Sequence, residues 1–392
     1  MGAIRVLHCP NAVGGNPCGL ARAERDLGLE SWCVSFSQNP YGYEADEILF
    51  GRNSGPFRRE AKRWQLLLRA LKDFDVIHFN FGRTIMPQSA AGSTAAQRGT
   101  PVRVLDVRKG VFQCYARLFE MRDLSMLKRA GKRIIMTYQG DDARQGDFCL
   151  ANFEINPAME TEPGYYSPES DAQKRQKIAR LSRYADRIYA LNPDLLWVLP
   201  PQAQFLPYSH IDLTDWRPVD DRRPAQEVPV VLHAPSHRGV KGTRFILDAA
   251  SRLRAEGIPF ELVLVEGIPH QKARRLYERA DLVVDQLLCG WYGGFAVEAM
   301  ALGKPVISYI REQDMKFIPQ KMREEMPIIG ATPATICAVL KELLTERKHE
   351  LLEIGRRGRA YVEKWHDPRK IAASLKDEYE ALTLEEQQRR QH

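Results

Sequence analysis

The run "GWYGGFAVEAMALGKPV", residues 290–306, sets Gly293 and Gly294 ahead of an apolar helical stretch that carries one acid, Glu298. Paired glycines let a backbone approach a ligand closely, and amides at a helix start face an anion. A carboxylate one turn further in needs polar partners if it is buried. A ribose diol, which donates two hydroxyl hydrogens, is a suitable one; a first-turn acid suiting the helix dipole is the plainer reading. The stretch "HAPSHRGVKGT", residues 233–243, offers complementary charge: Arg238 and Lys241 stand beside Gly239 and Gly242, just before a helix predicted to start near Thr243. Two cations and helix-start amides suit a diphosphate. Neither loop has Walker or GxGxxG spacing, so a nicotinamide dehydrogenase is a poor fit.

Three other groups could do chemistry. Gly14 and Gly15 in "NAVGGNPCGL" follow the first apolar run and let a donor or acceptor approach the backbone. In "YQGDDARQGD", residues 138–147, Asp141, Asp142 and Arg144 cluster after another apolar run. Asp142 is a candidate to orient a sugar hydroxyl or act as a base, because neighbouring acids push their pKa values apart; a polar turn is the alternative. His78 in "DVIHFNFG" is either a catalytic candidate or a satisfied core histidine. Asp141 and Asp142 are adjacent, a poor spacing for one cation, and no metal is expected.

These residues fall at the ends of short apolar runs that read as buried strands: 4–9, 32–36, 75–81, 133–138 and 187–191, then 228–236, 261–267, 282–288 and 305–310. Helical spacing occupies 19–28, 57–72 and 114–130, then 242–256, 270–280, 293–303 and most of 333–390. Strands alternating with helices predict parallel sheets covered on both faces. The segment 206–229 interrupts the alternation with prolines and charges and reads as a linker. A chain of 392 residues exceeds what one core usually serves. The expected division is 1–205, a linker at 206–228, a second domain at 229–365, and a C-terminal helix at 366–392 crossing back to the first. Ligands of such sheets sit beyond the strands' carboxyl ends, here in the cleft between two domains.

Composition is that of an ordinary folded protein, 44% apolar and 27% charged. No run approaches about 18 apolar residues, and no signal peptide is evident, so a cytoplasmic protein is expected. Seven cysteines, scattered and without CxxC, predict neither a disulfide framework nor a zinc site. The net charge of +7 is compatible with phosphate-bearing substrates or an anionic membrane face. Basic residues interleaved with aromatics in a stripe are missing, so no nucleic acid is expected. One local cluster, Arg58, Arg59, Lys62 and Arg63 beside Trp64, reads as a solvated helix face or a peripheral membrane contact.

Together these motifs resemble the GT-B glycosyltransferases of the retaining, nucleotide-sugar-dependent group 4. That group's signature is a glutamate, Gly-Phe-Gly, then EAMAxGxPV, with two glutamates eight positions apart. "GGFAVEAMALGKPVI" matches its second half. The resemblance covers nearly the whole chain, through "YVEKWHDPRKIAASL" at 361–375. It implies two Rossmann-like domains facing across a cleft. It further implies that Glu298 binds the donor ribose. Arg238 and Lys241 would clamp the diphosphate with Gly293, Gly294 and the Gly15 loop. Two positions depart from the pattern. Gly290 stands where the first glutamate falls, leaving Asp285 or the backbone of 291–294, with Tyr292, to meet the donor sugar or base. Gln139-Gly140 stands for the group's His-Gly, leaving Asp142 and His78 as catalytic candidates.

The expected activity is transfer of a sugar from a UDP-, GDP- or TDP-sugar to an acceptor hydroxyl, with retention, without a metal and without a separate cofactor. The acceptor could be a glycan, a lipid-linked species or a small molecule. The alternatives are a nucleotide-sugar epimerase or hydrolase of the same fold, or a catalytically degenerate binding protein.

Overall fold

A computed structural model describes residues 3–51, 54–88, 107–218 and 228–391. Among them twelve strands form two sheets, and the registered pairs are parallel. The first sheet contains β1 (Arg5–Cys9), β2 (Glu30–Ser35), β3 (Glu47–Ile48), β4 (Val76–Asn80), β5 (Arg133–Tyr138), β6 (Arg187–Ala190) and β7 (Gln204–Phe205), ordered 3-2-1-4-5-6-7. The second contains β8 (Val230–His233), β9 (Glu261–Leu264), β10 (Leu282–Val284), β11 (Val306–Ser308) and β12 (Ile329–Gly330), ordered 12-11-10-8-9. The strand order reverses between β1 and β4 in one sheet and between β8 and β10 in the other. Crevices at such reversals are where doubly wound sheets take ligands.

Strands β4 and β5 are buried along their whole length, which is why they read as continuous apolar runs rather than alternating ones. The helices covering the first sheet are α1 (Asn16–Asp26), α2 (Pro56–Asp73), α3 (Val107–Phe119), α4 (Arg122–Arg129), α5 (Gly146–Asn152) and α6 (Pro168–Ser182). The single helix predicted over 114–130 is two, because Met121 takes a left-handed φ of 57° and breaks the run. Helix α6 starts on a reciprocal cap between Ser167 and Ser170, with Pro168 in the first turn. Around the second sheet lie α7 (Arg238–Lys241), α8 (Thr243–Ala255), α9 (His270–Arg279), α10 (Gly294–Ala301), α11 (Gln320–Glu324), α12 (Ile336–Leu344) and α13 (Leu351–Trp365).

The last helix, α14 (Pro368–Gln391), returns to the first sheet. Its Ile371, Ala372, Leu375 and Tyr379 join the cluster of Val6, Leu20 and Val76. Helix α13 crosses under the site-bearing α10 at two glycines. A Cβ at Gly355 would collide with the Gly303 carbonyl oxygen, and one at Gly358 would lie 3.2 Å from Met300 Cγ. Gly355→Ala is therefore expected to destabilise the second domain by about 1–3 kcal/mol through overpacking. A lowered thermal midpoint would register it; an unchanged one would show that the helices can slide apart without loss.

The cysteine expectation is corrected: Cys18 and Cys33 are disulfide-bonded, with Cα atoms 5.3 Å apart. Helix α1 and strand β2 bring them together across 15 residues, a proximity that spacing alone does not reveal. Disulfides are rare in reducing compartments, so the bond speaks against the cytoplasmic expectation. The basic cluster on α2 is also not one solvated face. Arg63 lies 4.2 Å over the Phe36 ring and donates to the Ile85 carbonyl, while Lys62 donates to the Leu49 carbonyl. Arg58, Arg59 and a 91% exposed Phe57 remain at the helix start. No helix among the described residues is long and apolar enough to cross a membrane.

Candidate functional site

A cavity of about 290 Å³ opens between the two sheets, where both reversals face it. Val13 and Gly14 line it from the end of β1, Phe81 from the end of β4, and Gln139 from the end of β5. Across from them lie Ala234–Ser236 after β8, Glu266–Ile268 after β9, and Gly294, Phe295 and Glu298 on α10. Lys241, His210 and His270 complete the polar lining used below.

Lys241 reaches the cavity from the short helix α7, which the buried Val240 holds down. Its Nζ donates to Gln286 Oε1 at 2.6 Å and stands 3.4 Å from Asp285 Oδ1. A Cβ on Gly293 would lie 3.0 Å from that Nζ, so the glycine is what admits the ammonium beside the start of α10. Asp285 is the scaffold of the turn: its Oδ2 accepts the Gly293 N–H at 2.5 Å. The amides of Gly294 and Phe295 lie in the first turn, where no intrahelical acceptor exists.

Glu298 is buried, and its Oε1 collects several groups from different parts of the chain. His270 Nε2 approaches to 2.8 Å, the Tyr43 hydroxyl donates at 3.2 Å, and His210 Nε2 stands 3.2 Å away. Burial would raise this carboxyl, but the two imidazoles outweigh it and hold the pKa at about 2. Tyr43 arrives from the first domain, where the Tyr41 carbonyl also accepts the His270 N–H at 2.9 Å. The loop carrying both tyrosines thus ties the first domain to the second at the cavity rim.

Other contacts close the domains on the far side. Arg244 forks onto Glu160 at 3.0 and 2.6 Å, and a Cβ on Gly239 would lie 2.5 Å from the Glu160 carbonyl oxygen. The Trp197 indole donates to Asp314 at 2.8 Å, and Arg311 donates to the Ile155 carbonyl at 2.8 Å.

Lys241, Gly294 and Glu298 are therefore brought together at one cavity, while other expected site residues are placed elsewhere. Arg238 does not face the cavity: its side chain is 58% exposed and forks onto Glu266 at 2.8 and 2.5 Å. Gly293 spends its amide on Asp285. Gly15 is covered by an aromatic ring, since a Cβ there would lie 2.7 Å from Tyr43 Cδ1; its neighbour Gly14 lines the cavity instead. Tyr292 is in the core, its hydroxyl 2.9 Å from both Tyr361 Oη and His366 Nε2. His78 is buried as well, with Nδ1 3.0 Å from Tyr379 Oη and Nε2 2.7 Å from Thr137 Oγ1; burial pushes its pKa well below the ordinary value. Both ring nitrogens are engaged, which leaves none for a substrate.

Asp142 organises its own turn, accepting the Gly140 N–H at 2.7 Å and the Gln139 N–H at 3.0 Å. Burial lifts its pKa to about 6 against the pull of those amides. Asp141 and Arg144 are structural partners, joined at 2.8 Å, with Tyr165 and Tyr166 donating to the acid and Asp194 taking the arginine's Nε–H. Gly290, at the position of the missing glutamate, has φ +80° and a Cβ there would lie 2.5 Å from Arg311 Nη1. The arginine fills the space a side chain would need. Tyr43, His210 and His270 are site residues the sequence did not announce. His270 carried one usable signal, a polar residue at the start of a predicted helix just after a strand end.

No family profile and no curated protein sequence matches the chain. Solved structures do. Sucrose-phosphate synthase from Thermosynechococcus elongatus superposes with a TM-score of 0.58, at 15% identity over 97% of this chain and 99% of that one. HepE of Anabaena, in complex with UDP-glucose, gives 0.58 at 11% identity over 96% and 100%. An α-glucosyltransferase in complex with UDP and a 13-mer DNA gives 0.55 at 10% identity over 98% and 100%. The chain has the GT-B fold. At such low identity the likeness establishes architecture and the two facing sheets, and the GT-B cleft is where this chain has its cavity.

Proposed function

We propose that the protein is a glycosyltransferase that moves a sugar from a nucleoside diphosphate sugar to an acceptor hydroxyl, with retention of configuration and without a metal. One observation carries the reading. Lys241, the open first turn of α10 and the buried carboxylate of Glu298 meet in a single interdomain cavity at both strand-order reversals. Departure of a diphosphate builds negative charge on its oxygens. An ammonium and helix-start amides fixed in a partly desolvated site stabilise that charge before it develops. Glu298 supplies an acceptor for the ribose hydroxyls, and its low pKa keeps it ionised at neutral pH. Gln139 lines the same cavity from the first domain's side. HepE and the α-glucosyltransferase hold UDP-glucose and UDP, which makes uridine nucleotides the first to test.

Arg238 joins this scheme only by leaving Glu266, an exposed exchange that costs little. The exposed Phe57, Arg58 and Arg59 at the start of α2 support an acceptor presented at an anionic membrane face. A catalytically silent binding protein is the competing reading. Asp142, locked in its own turn, and Gly290, backed by Arg311, favour it.

The first experiment is a thermal-shift screen with UDP, GDP, TDP and their sugars, repeated in EDTA. At a ligand concentration 100 times Kd, binding adds about 2.7 kcal/mol to stability. One of the nucleotides is expected to raise the midpoint, equally with and without chelator. No shift with any of them would remove the donor site. A shift without product from any offered acceptor alcohol would favour the binding protein.

A further inference from the structure

The donor-site reading uses His210 only as a neighbour that helps keep Glu298 ionised, and gives its imidazole no contact with the ligand. His210 lies in the connection between the domains, and the backbone there is clamped. The Ser209 N–H donates to Asn16 Oδ1 at 2.7 Å, and α1 approaches so closely at Gly19 that a Cβ there would lie 2.7 Å from the His210 Cα. This backbone fixes the imidazole beside Glu298. His210 is 7% exposed, lines the cavity, and neither ring nitrogen has an aligned hydrogen-bond partner among the described residues. Nε2 stands within 3.2 Å of Glu298 Oε1 without hydrogen-bond alignment.

His8, away from the cavity, has one unmatched ring nitrogen, Nδ1, with its Nε2 held by Glu24 at 2.8 Å; three further buried histidines are matched on both sides. His233 Nδ1 lies 2.8 Å from the Val284 carbonyl oxygen and its Nε2 2.9 Å from Thr243 Oγ1. His366 meets the Tyr208 carbonyl oxygen at 3.0 Å and the Tyr292 hydroxyl at 2.9 Å. His78 is likewise engaged on both sides. A buried polar group left unmatched costs about 1–3 kcal/mol, so its persistence at a cavity wall signals a partner that arrives with the ligand.

The ring's position says which partner. A Cβ on Gly294 would lie 3.3 Å from His210 Cε1 and 3.5 Å from Nε2, so this edge faces the first turn of α10. The same edge neighbours Glu298. The imidazole therefore stands between the carboxylate assigned to the ribose and the amides assigned to the phosphates. We propose that His210 is a donor-binding residue whose imidazole N–H hydrogen-bonds a phosphate oxygen of the nucleoside diphosphate. Once ribose hydroxyls occupy Glu298, the Nε2–H is free to turn to the adjacent phosphate. The inference rests on the donor-site reading and adds to it a residue contributed by the linker.

The test uses the full-length chain and two variants. His210→Phe keeps an aromatic ring and deletes both nitrogens; His210→Gln keeps a side-chain N–H. Calorimetry compares whichever of UDP, GDP or TDP the wild type binds with the corresponding nucleoside. The phenylalanine variant loses the imidazole beside Glu298 but also the unmatched Nδ1, so its thermal midpoint is expected to stay close to that of the wild type, with His270 and Tyr43 still on the carboxylate. Its affinity for the diphosphate should fall about tenfold, the worth of one hydrogen bond to a charged group, with the nucleoside affected far less. The glutamine variant should recover most of the loss. Undiminished diphosphate affinity in His210→Phe, or an equal loss for the nucleoside, would overturn the assignment. So would a lowered thermal midpoint, which would make the residue structural. If the wild type binds no nucleotide at all, the donor site itself falls and this inference with it; wild-type binding with an indifferent phenylalanine variant sinks the inference alone.

Discussion

Replacing Lys241 with alanine is expected to weaken nucleoside diphosphate binding by about 100-fold, the equivalent of one strong charge-assisted contact of nearly 3 kcal/mol. The Lys241 side chain is 14% exposed, so its charge is screened less than that of a surface lysine. It also lies beside the glycine turn that opens α10, where helix-start amides act on the same anion. Loss of the lysine has a second consequence. Asp285 is buried, and its remaining partner is the Gly293 N–H. Stranding a buried carboxylate costs about 3–5 kcal/mol, so the single variant should also unfold at lower temperature. Lys241→Ala combined with Asp285→Asn removes the stranded charge. The pair should regain stability while still failing to bind UDP. Calorimetry and thermal unfolding on both variants separate the effects. If the stable double variant binds UDP as the wild type does, Lys241 is a scaffold for Asp285 and not a phosphate ligand.

The architecture was readable because its signals are local. Apolar runs such as "DVIHFNF" and "RIIMTY" are bounded by polar turns, and their alternation with helical spacing forces parallel sheets. Lys241, Gly294 and Glu298 were readable for the same reason: each sits within a few residues of a glycine turn at a strand end. The misplacements arise from partners far away in sequence. His78 is engaged by Tyr379, 301 positions later, and Tyr292 by His366, 74 positions later. Arg238 looked equivalent to Lys241, yet Glu266, at the cavity rim beyond the end of another strand, holds it with the arginine side chain 58% exposed. Nothing in "RGVK" distinguishes the two cations. His210 was hidden by composition, since prolines and charges made its segment read as a linker. The buried Leu206 and Ile211 around it were the available sign that the connection is part of the core. Helices α5 and α6 were not predicted because apolar periodicity is weak there, although Ser167-Pro168 followed by Ser170 was a start signal.

Glu298→Gln should preserve the fold while reducing nucleotide affinity by about 10- to 100-fold, as expected when charge-assisted bonds to a ribose become neutral ones. The amide keeps the size of the side chain and can still accept from Tyr43 and His270, so the rim loop has no reason to detach. The charge is what the substitution removes, and the ribose is what should register it. Wild-type protein is expected to lose affinity when UDP is replaced by its 2′,3′-dideoxy analogue; the variant should scarcely distinguish the two. The pH dependence follows from the carboxyl's position. Its folded pKa of about 2 lies below the ordinary 4.5. The stabilisation it contributes is therefore complete above about pH 4.5 and is lost as pH falls through 2, a limb that the glutamine variant should lack in acid unfolding. Between pH 5 and 8 this carboxyl stays ionised, so its own titration gives the affinity gap no slope. Should the variant bind UDP and the dideoxy analogue with wild-type affinities, Glu298 is a pin for Tyr43 and His270, and the ribose is held by other groups.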